Sequence, residues 1–157
     1  MKHSKIHTLH RYFLWSNLMR ENLLEELKEN GPPPKDPKEL RRWLIRPFTY
    51  SSYWLSSLYV IIEGWKELSL KDRRINLLLN NKRHIQKLKR YRNGTFHFQK
   101  TYFDNRFTDF FNEKSKIINW AKNLHYAFGA YFIRYNFSKM DEKQLKLLIE
   151  ELSSKGL

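Results

Sequence analysis

Cysteine is absent from this chain of 157 residues. That excludes a disulfide framework and any thiolate-bound metal. It fits a reducing compartment, and a cytoplasmic location is the expectation. Glycine and proline are scarce at five each, and Pro32, Pro33 and Pro34 form one block. The composition is not that of a disordered chain. No stretch approaches ~18 consecutive apolar residues, so no transmembrane span and no membrane partner are expected. The segment Met1 to His7 is basic but lacks an apolar core, and no signal peptide is read there. Gly-rich phosphate loops, nucleophile elbows and zinc-ligand spacings are missing too, and no cofactor is implied.

What the chain does have is apolar and aromatic residues, 41% and 16%. At this length they suffice for one core, and a single domain over residues 1–157 is expected. The net charge is +14, and residues 69–100 hold ten basic residues against one acidic. Most of the excess therefore sits in about a fifth of the chain. A polyanionic partner follows, nucleic acid before a membrane surface. The plainer reading of the same run is a solvated, solubilising face.

Apolar residues recur at three- and four-residue steps through most of the sequence, which predicts helices. The first covers residues 5–29 and stops at Asn30-Gly31 before the proline block. A short helix over 38–45 is interrupted by Pro47, and a long apolar one follows from about Thr49 to Leu68. Asp72 caps a short helix through about Leu79. Residues 82–92 read as a basic amphipathic helix with Ile85 and Leu88 on one face. Lys82, Arg83, Lys87, Lys89 and Arg90 cover the rest and are the candidate RNA-binding cations. A further long helix opens at Asp104 or Asp109 and ends near Tyr135. Ser138 and Glu142 cap a final one through Leu152. The expected fold is all-α, an up-and-down bundle of four to five main helices.

The hexapeptide Arg92-Asn93-Gly94-Thr95-Phe96-His97 closes the basic helix. It places a permanent cation, a neutral amide and a titratable imidazole within about two helical turns. Those groups suit metal-free phosphodiester cleavage: a charge to stabilise a phosphorane, an amide to orient it, a base to move protons. Asn93 and His97 share a face if the helix continues. Gly94 and Thr95 are poor helix formers, so the helix can fray or bend there. Asn93-Gly94 with alternation after it also reads as a hairpin turn.

The hexapeptide resembles the R-N-x-x-x-H motif of the HEPN superfamily, small helical-bundle proteins that include toxin ribonucleases, abortive-infection proteins and nuclease domains of RNA-targeting CRISPR effectors. The resemblance implies a HEPN-like bundle and an endoribonuclease that needs no metal. His97 would serve as general base or acid on the 2′-oxygen or the leaving 5′-oxygen. Arg92 would stabilise the phosphate charge, and Asn93 would orient the phosphate or the imidazole. The implied products are a 2′,3′-cyclic phosphate and a 5′-hydroxyl. A composite site in a homodimer is implied, with an antitoxin or other regulatory partner. An acidic residue on an earlier helix often joins the motif's polar network. Glu63, inside the apolar run, is the candidate here, and other cations or solvent are its alternative partners. One HEPN subgroup carries a Tyr two residues after the His; Gln99 stands there, so antitoxin modification at that place is not expected.

Other groupings carry plainer readings. His3, His7 and His10 recur on one helix face but are read as surface histidines, with no metal site expected. His125 is read as a satisfied core or interface histidine. Tyr102, Phe103, Phe107, Phe110 and Phe111 are read as core, with base stacking as the alternative. Two functions follow: a ribonuclease acting as a toxin or antiviral defence effector, or a non-catalytic HEPN-like RNA-binding or scaffold protein. A third, weaker reading is a basic helical DNA-binding or membrane-surface domain.

Overall fold

The apolar periodicity of the sequence is realised as helices. In a computed structural model of the chain, residues 2–102, 104–111, 115–135, 146 and 150 are described. The elements are α1 (Lys2–Glu29), α2 (Pro37–Glu67), α3 (Arg73–Leu79), α4 (Lys82–Phe96), α5 (Asn105–Phe111) and α6 (Ser115–Arg134). The fold is an all-α bundle, with no strand among the described residues.

Local chemistry sets the helix ends. Gly31 takes a positive φ of 62° just after α1, a backbone state that suits glycine. The Asp36 carboxylate accepts from the Lys38 and Glu39 N–H groups at 2.9 and 3.0 Å, and Pro37 fills the first helical position. Asp72 caps α3 in the same way, through Arg74 and Ile75. Asn81 caps α4 by accepting from the His84 N–H at 3.0 Å.

Three boundaries differ from the sequence expectation. Residues 38–45 and 49–68 are one helix, α2, which passes through Pro47. An interior proline costs about 3 kcal/mol. Here its ring is buried, and the helix beyond it carries Trp54, Leu55, Leu58, Ile61, Ile62 and Trp65 into the core. Burial of each such side chain contributes roughly 1.5–3 kcal/mol, enough to hold the helix through the defect. Second, α4 runs past residue 92 to Phe96, which removes the hairpin alternative at Asn93-Gly94. Third, the run from Asp104 to Tyr135 holds two helices, α5 against α4 and α6 against α1 and α3. One straight helix could not serve both directions. The cap at Ser138 and Glu142, and nearly all of the final helix, lie outside the described residues.

Helices α1 and α2 run antiparallel and touch closely. A Cβ at Gly64 would lie 2.6 Å from Leu9 Cδ1, so glycine allows this approach. Helix α4 packs antiparallel on α2, with the fully buried Tyr91 hydroxyl 3.1 Å from Ser52 Oγ. The core continues through Ile75, Leu88, Phe110, Ile117, Leu124 and Phe128, joining α3, α4, α5 and α6. This core anchors the inner face of α4 and fixes which side chains its far end presents. No helix among the described residues is long and apolar enough to cross a membrane.

Candidate active site

Helix α4 carries the motif. Ile85, Leu88 and Tyr91 point into the core, and Gly94 is buried beneath α5. A Cβ at Gly94 would stand 3.1 Å from Phe107 Cζ and 3.3 Å from Arg106 Cβ. The glycine that looked like a weak point of the helix is therefore a contact point. It lets α5 lie flat on the last turn, and α5 in turn covers the motif's inner side.

Arg92 sits at the border of the core, half-buried. Its Nη1 donates to Asn93 Oδ1 at 3.1 Å. Its Nε is buried and has no hydrogen-bond partner. The guanidinium carbon lies 6.0 Å from the centre of the Phe96 ring, at the outer limit of a cation–π contact. Phe96 meets Tyr53 of α2 edge-on at 5.8 Å.

His97 is the first residue past the helix. Its backbone is extended (φ −117°, ψ 135°), yet its N–H still donates to the Asn93 carbonyl at 3.1 Å. Its side chain is exposed, and no hydrogen bond joins the imidazole to Arg92 or Asn93 among the described residues. The structure thus brings the three motif residues to one helix end but bonds only two of their side chains. Asn93 serves Arg92 with its side chain and His97 with its backbone.

Gln99 locks this end. Its Nε2 donates to the His97 carbonyl and, at 3.5 Å, to the Asn93 carbonyl. Its Oε1 accepts from Arg106 Nη1 of α5, whose Nε lies 3.8 Å from Asp104 Oδ1. One amide therefore serves carbonyls at the helix end, where backbone acceptors lack partners. Two arginines, Arg92 and Arg106, lie close to the negative end of the α4 dipole.

Glu63 lies differently from the expectation. It is exposed, not partly buried, and it makes no ion pair with Arg92 among the described residues. Its carboxylate acts on the Tyr59 hydroxyl instead. Burial pushes the Tyr59 pKa up, the Glu63 carboxylate adds to the rise, and the nearby Arg92 opposes it. Tyr59 thus stands between the acid and the arginine. The sequence placed it in the apolar stripe, and its four-residue spacing from Glu63 was the available signal. Glu63 also lines a shallow groove of about 330 Å³ against α1, with Lys5 and Glu67.

The basic face of α4 divides in two. Lys82, Arg83 and Lys89 are exposed. Lys82, Lys89, Asn93 and Phe96 follow steps of seven, four and three, and so share one face. Lys87 and Arg90 turn toward α5. Lys87 Nζ donates to the Asp109 carbonyl at 3.1 Å, and Arg90 meets Asp109 Oδ2 at 3.2 Å and Asn105 Oδ1 at 3.4 Å. These two cations hold the helix that covers Gly94.

Exposed aromatics surround the motif. Phe98 is 95% exposed and Tyr102 81%, and Phe96 and Tyr53 are each about half exposed. Tyr102 therefore leaves the expected core set, whereas Phe110 is fully buried and Phe107 packs against it. Phe111 is partly exposed, and Phe103 lies outside the described residues. Phe98 and Tyr53 were not singled out from sequence.

The histidines resolve more simply. His125 is 2% exposed. It faces Trp54 Nε1 at 3.3 Å and Asn17 Oδ1 at 3.0 Å, as a satisfied core histidine does. His10 is half-buried and packs 5.0 Å from the Phe132 ring, and burial lowers its pKa, with His7 adding to the fall. Among the described residues no three His, Asp or Glu side chains converge as metal ligands. No family model, no curated protein and no solved structure matches this chain.

Proposed function

We propose that the chain is a metal-independent endoribonuclease of HEPN type, with Arg92, Asn93 and His97 as its reacting set. The observation that carries the reading is the Arg92–Asn93 pair beside an exposed His97 at the end of the basic helix. Arg92 is half-buried and its guanidinium is oriented by Asn93, an arrangement suited to meeting a phosphate oxygen. The imidazole of His97 stands in solvent, free to meet a ribose. Exposed Lys82, Arg83 and Lys89 supply a track for the backbone, and Phe96, Phe98 and Tyr102 supply faces on which unpaired bases stack.

The reaction balances as follows. Neutral His97 takes the proton of the ribose 2′-hydroxyl, and the 2′-oxygen attacks the adjacent phosphorus. The bond from phosphorus to the 5′-oxygen breaks, and that oxygen takes up a proton. A 2′,3′-cyclic phosphate and a 5′-hydroxyl remain. Arg92 stabilises the charge on the non-bridging oxygens. DNA has no 2′-hydroxyl and is not a substrate. One protomer offers one His97, so a homodimer with two motifs facing would supply both the base and the acid. The role would be that of a toxin or antiviral defence effector.

The second reading is a HEPN-like RNA-binding or scaffold protein without catalysis. The lack, among the described residues, of a hydrogen bond from the His97 imidazole to the Arg92 or Asn93 side chain favours it. Cleavage of a labelled structured RNA in excess EDTA separates the two. The ribonuclease reading expects cyclic phosphate ends from the wild type and none from His97→Ala, with RNA binding unchanged. Tight binding without cleavage by either protein would favour the scaffold.

A further inference from the structure

A large apolar groove lies on the face made by α1, the first half of α2, α5 and α6. It holds about 600 Å³, within the range of small-molecule sites. Leu24, Leu27, Leu44, Phe48 and Phe111 are among its lining residues, and all five are partly exposed. The groove also has a cation in its wall. Arg20 is only 8% exposed and lines it, and Lys122 of α6 lines it too.

Among the described residues, Arg20 is a buried charge without a counter-ion. Its Nη2 donates to the neutral Tyr126 hydroxyl at 2.6 Å, and the guanidinium lies over the Tyr126 and Trp54 rings at 4.7 and 6.0 Å. Its Nε is buried and unpartnered. Among the described residues no carboxylate pairs with Arg20 or Lys122. Two acids of the same helix are engaged elsewhere: Glu21 accepts from Asn17 at 2.7 Å, and Glu26 pairs with Arg46 at 3.1 Å. The neighbouring His125 is buried and held neutral near pH 7, so it adds no second positive charge beside Arg20. Buried ions are ordinarily paired, because an unpaired one costs several kcal/mol.

We propose that this groove binds an amphiphile with one anionic head and an apolar tail. The head pairs with Arg20 and Lys122, and the tail lies along the leucines and phenylalanines. The chemistry matches on both counts. An apolar trough with two cations in its wall suits neither a neutral hydrocarbon nor a hydrophilic anion. The Arg20 fork accepts a carboxylate or a phosphate equally well. The site is separate from Arg92–His97 and does not depend on the ribonuclease reading.

Titration of the full chain with dodecanoate, dodecyl phosphate, dodecanol and acetate tests this. All are used below their micelle concentrations, and the emission of Trp43 and Trp54, both in the groove wall, is the readout. The expected result is one saturable site for dodecanoate or dodecyl phosphate. The stronger of the two identifies the head group. Dodecanol binds at least about tenfold more weakly, and acetate leaves the emission unchanged. Arg20→Gln weakens the charged ligand about tenfold or more, and Lys122→Gln weakens it less. Lys71→Gln, exposed and outside the groove lining, leaves it unchanged. Equal affinity for acid and alcohol would overturn the proposal, as would an equal loss in Lys71→Gln or no binding at all. If Arg20→Gln does not fold, the acid-to-alcohol ratio of the wild type and the Lys122→Gln result decide. Absence of binding together with a dimer that Leu24→Asp splits would overturn it in favour of a second copy seated in the groove.

Discussion

Arg92 and Asn93 are adjacent on α4, yet their side chains meet, Nη1 to Oδ1 at 3.1 Å. Adjacent helical residues point about 100° apart, so the bond exists because the arginine curls back along the helix end. It leaves Nε buried and unpartnered. A neutral acceptor therefore orients the guanidinium while part of its donor set stays unused.

Arg92→Lys separates charge from geometry. Lysine keeps the positive charge but loses the planar fork. RNA affinity should fall by less than about threefold, because the charge and the exposed lysines remain. On the proposed ribonuclease reading, cleavage should fall by about a hundredfold, the usual loss when one preorganised donor is removed from an anionic transition state. Equal losses in binding and cleavage would mean that Arg92 only holds the backbone.

Gln99 acts on the site through backbone. Its amide joins the Asn93 and His97 carbonyls to Arg106 of α5. Gln99→Leu removes every one of these contacts. Gln99→Glu keeps an acceptor for Arg106 and loses the donor. The Leu variant should speed exchange of the His97 amide hydrogen and lower kcat about tenfold with little change in KM. The Glu variant should keep α5 in place yet still lose most of kcat. If Glu and wild type cleave alike, the link to Arg106 is the part that matters.

Gly94→Ala sets helix propensity against packing. Alanine favours an interior helical position by about 1 kcal/mol. The new methyl would press on Phe107 Cζ at 3.1 Å, and that ring is wedged between Phe48 and Tyr91 at 5.4 and 5.2 Å. The ring cannot withdraw without moving both neighbours, and overpacking costs about 1–3 kcal/mol. Urea denaturation should show a net loss of about 1 kcal/mol. A gain in stability would show that α5 slides freely on α4.

These residues also show what the sequence could and could not tell. Asp72 caps a helix where its side chain announced it, because capping is local chemistry. His125 was legible as a core histidine from its apolar neighbours. Pro47 misled, because the strength of the surrounding core contacts is not local information. Gly94 misled for the same reason: propensity marks it as a weak point, and only α5 makes it a contact. Glu63 was placed inside by its apolar flanks. Position on the helix put it outside, where its carboxylate helps raise the Tyr59 pKa. The candidate site was legible as a motif. Its support from Gln99 and Arg106 was not, since no periodicity links α4 to α5.

The last prediction concerns pH. His125 is enclosed by Phe13 and Asn17 of α1, Trp54 of α2, Tyr126 of its own helix and the charged Arg20. Burial, aided by Arg20, pushes its pKa down to about 4 from 6.5. Above pH ~6.5 the imidazole is neutral in both the folded and the unfolded chain and adds no pH dependence. As pH falls toward 4, the unfolded chain binds a proton that the folded one refuses, so stability falls. The loss attributable to His125 approaches about 2 kcal/mol at pH 5 and about 3 kcal/mol at pH 4. His125→Gln retains an acceptor for Trp54 and a donor for Asn17 but cannot titrate. Urea midpoints measured at pH 7.5 and pH 5 should fall further for the wild type than for the variant, by roughly that margin. A parallel fall in both proteins would assign the acid sensitivity to other groups and leave the Trp54–His125–Asn17 chain as packing alone.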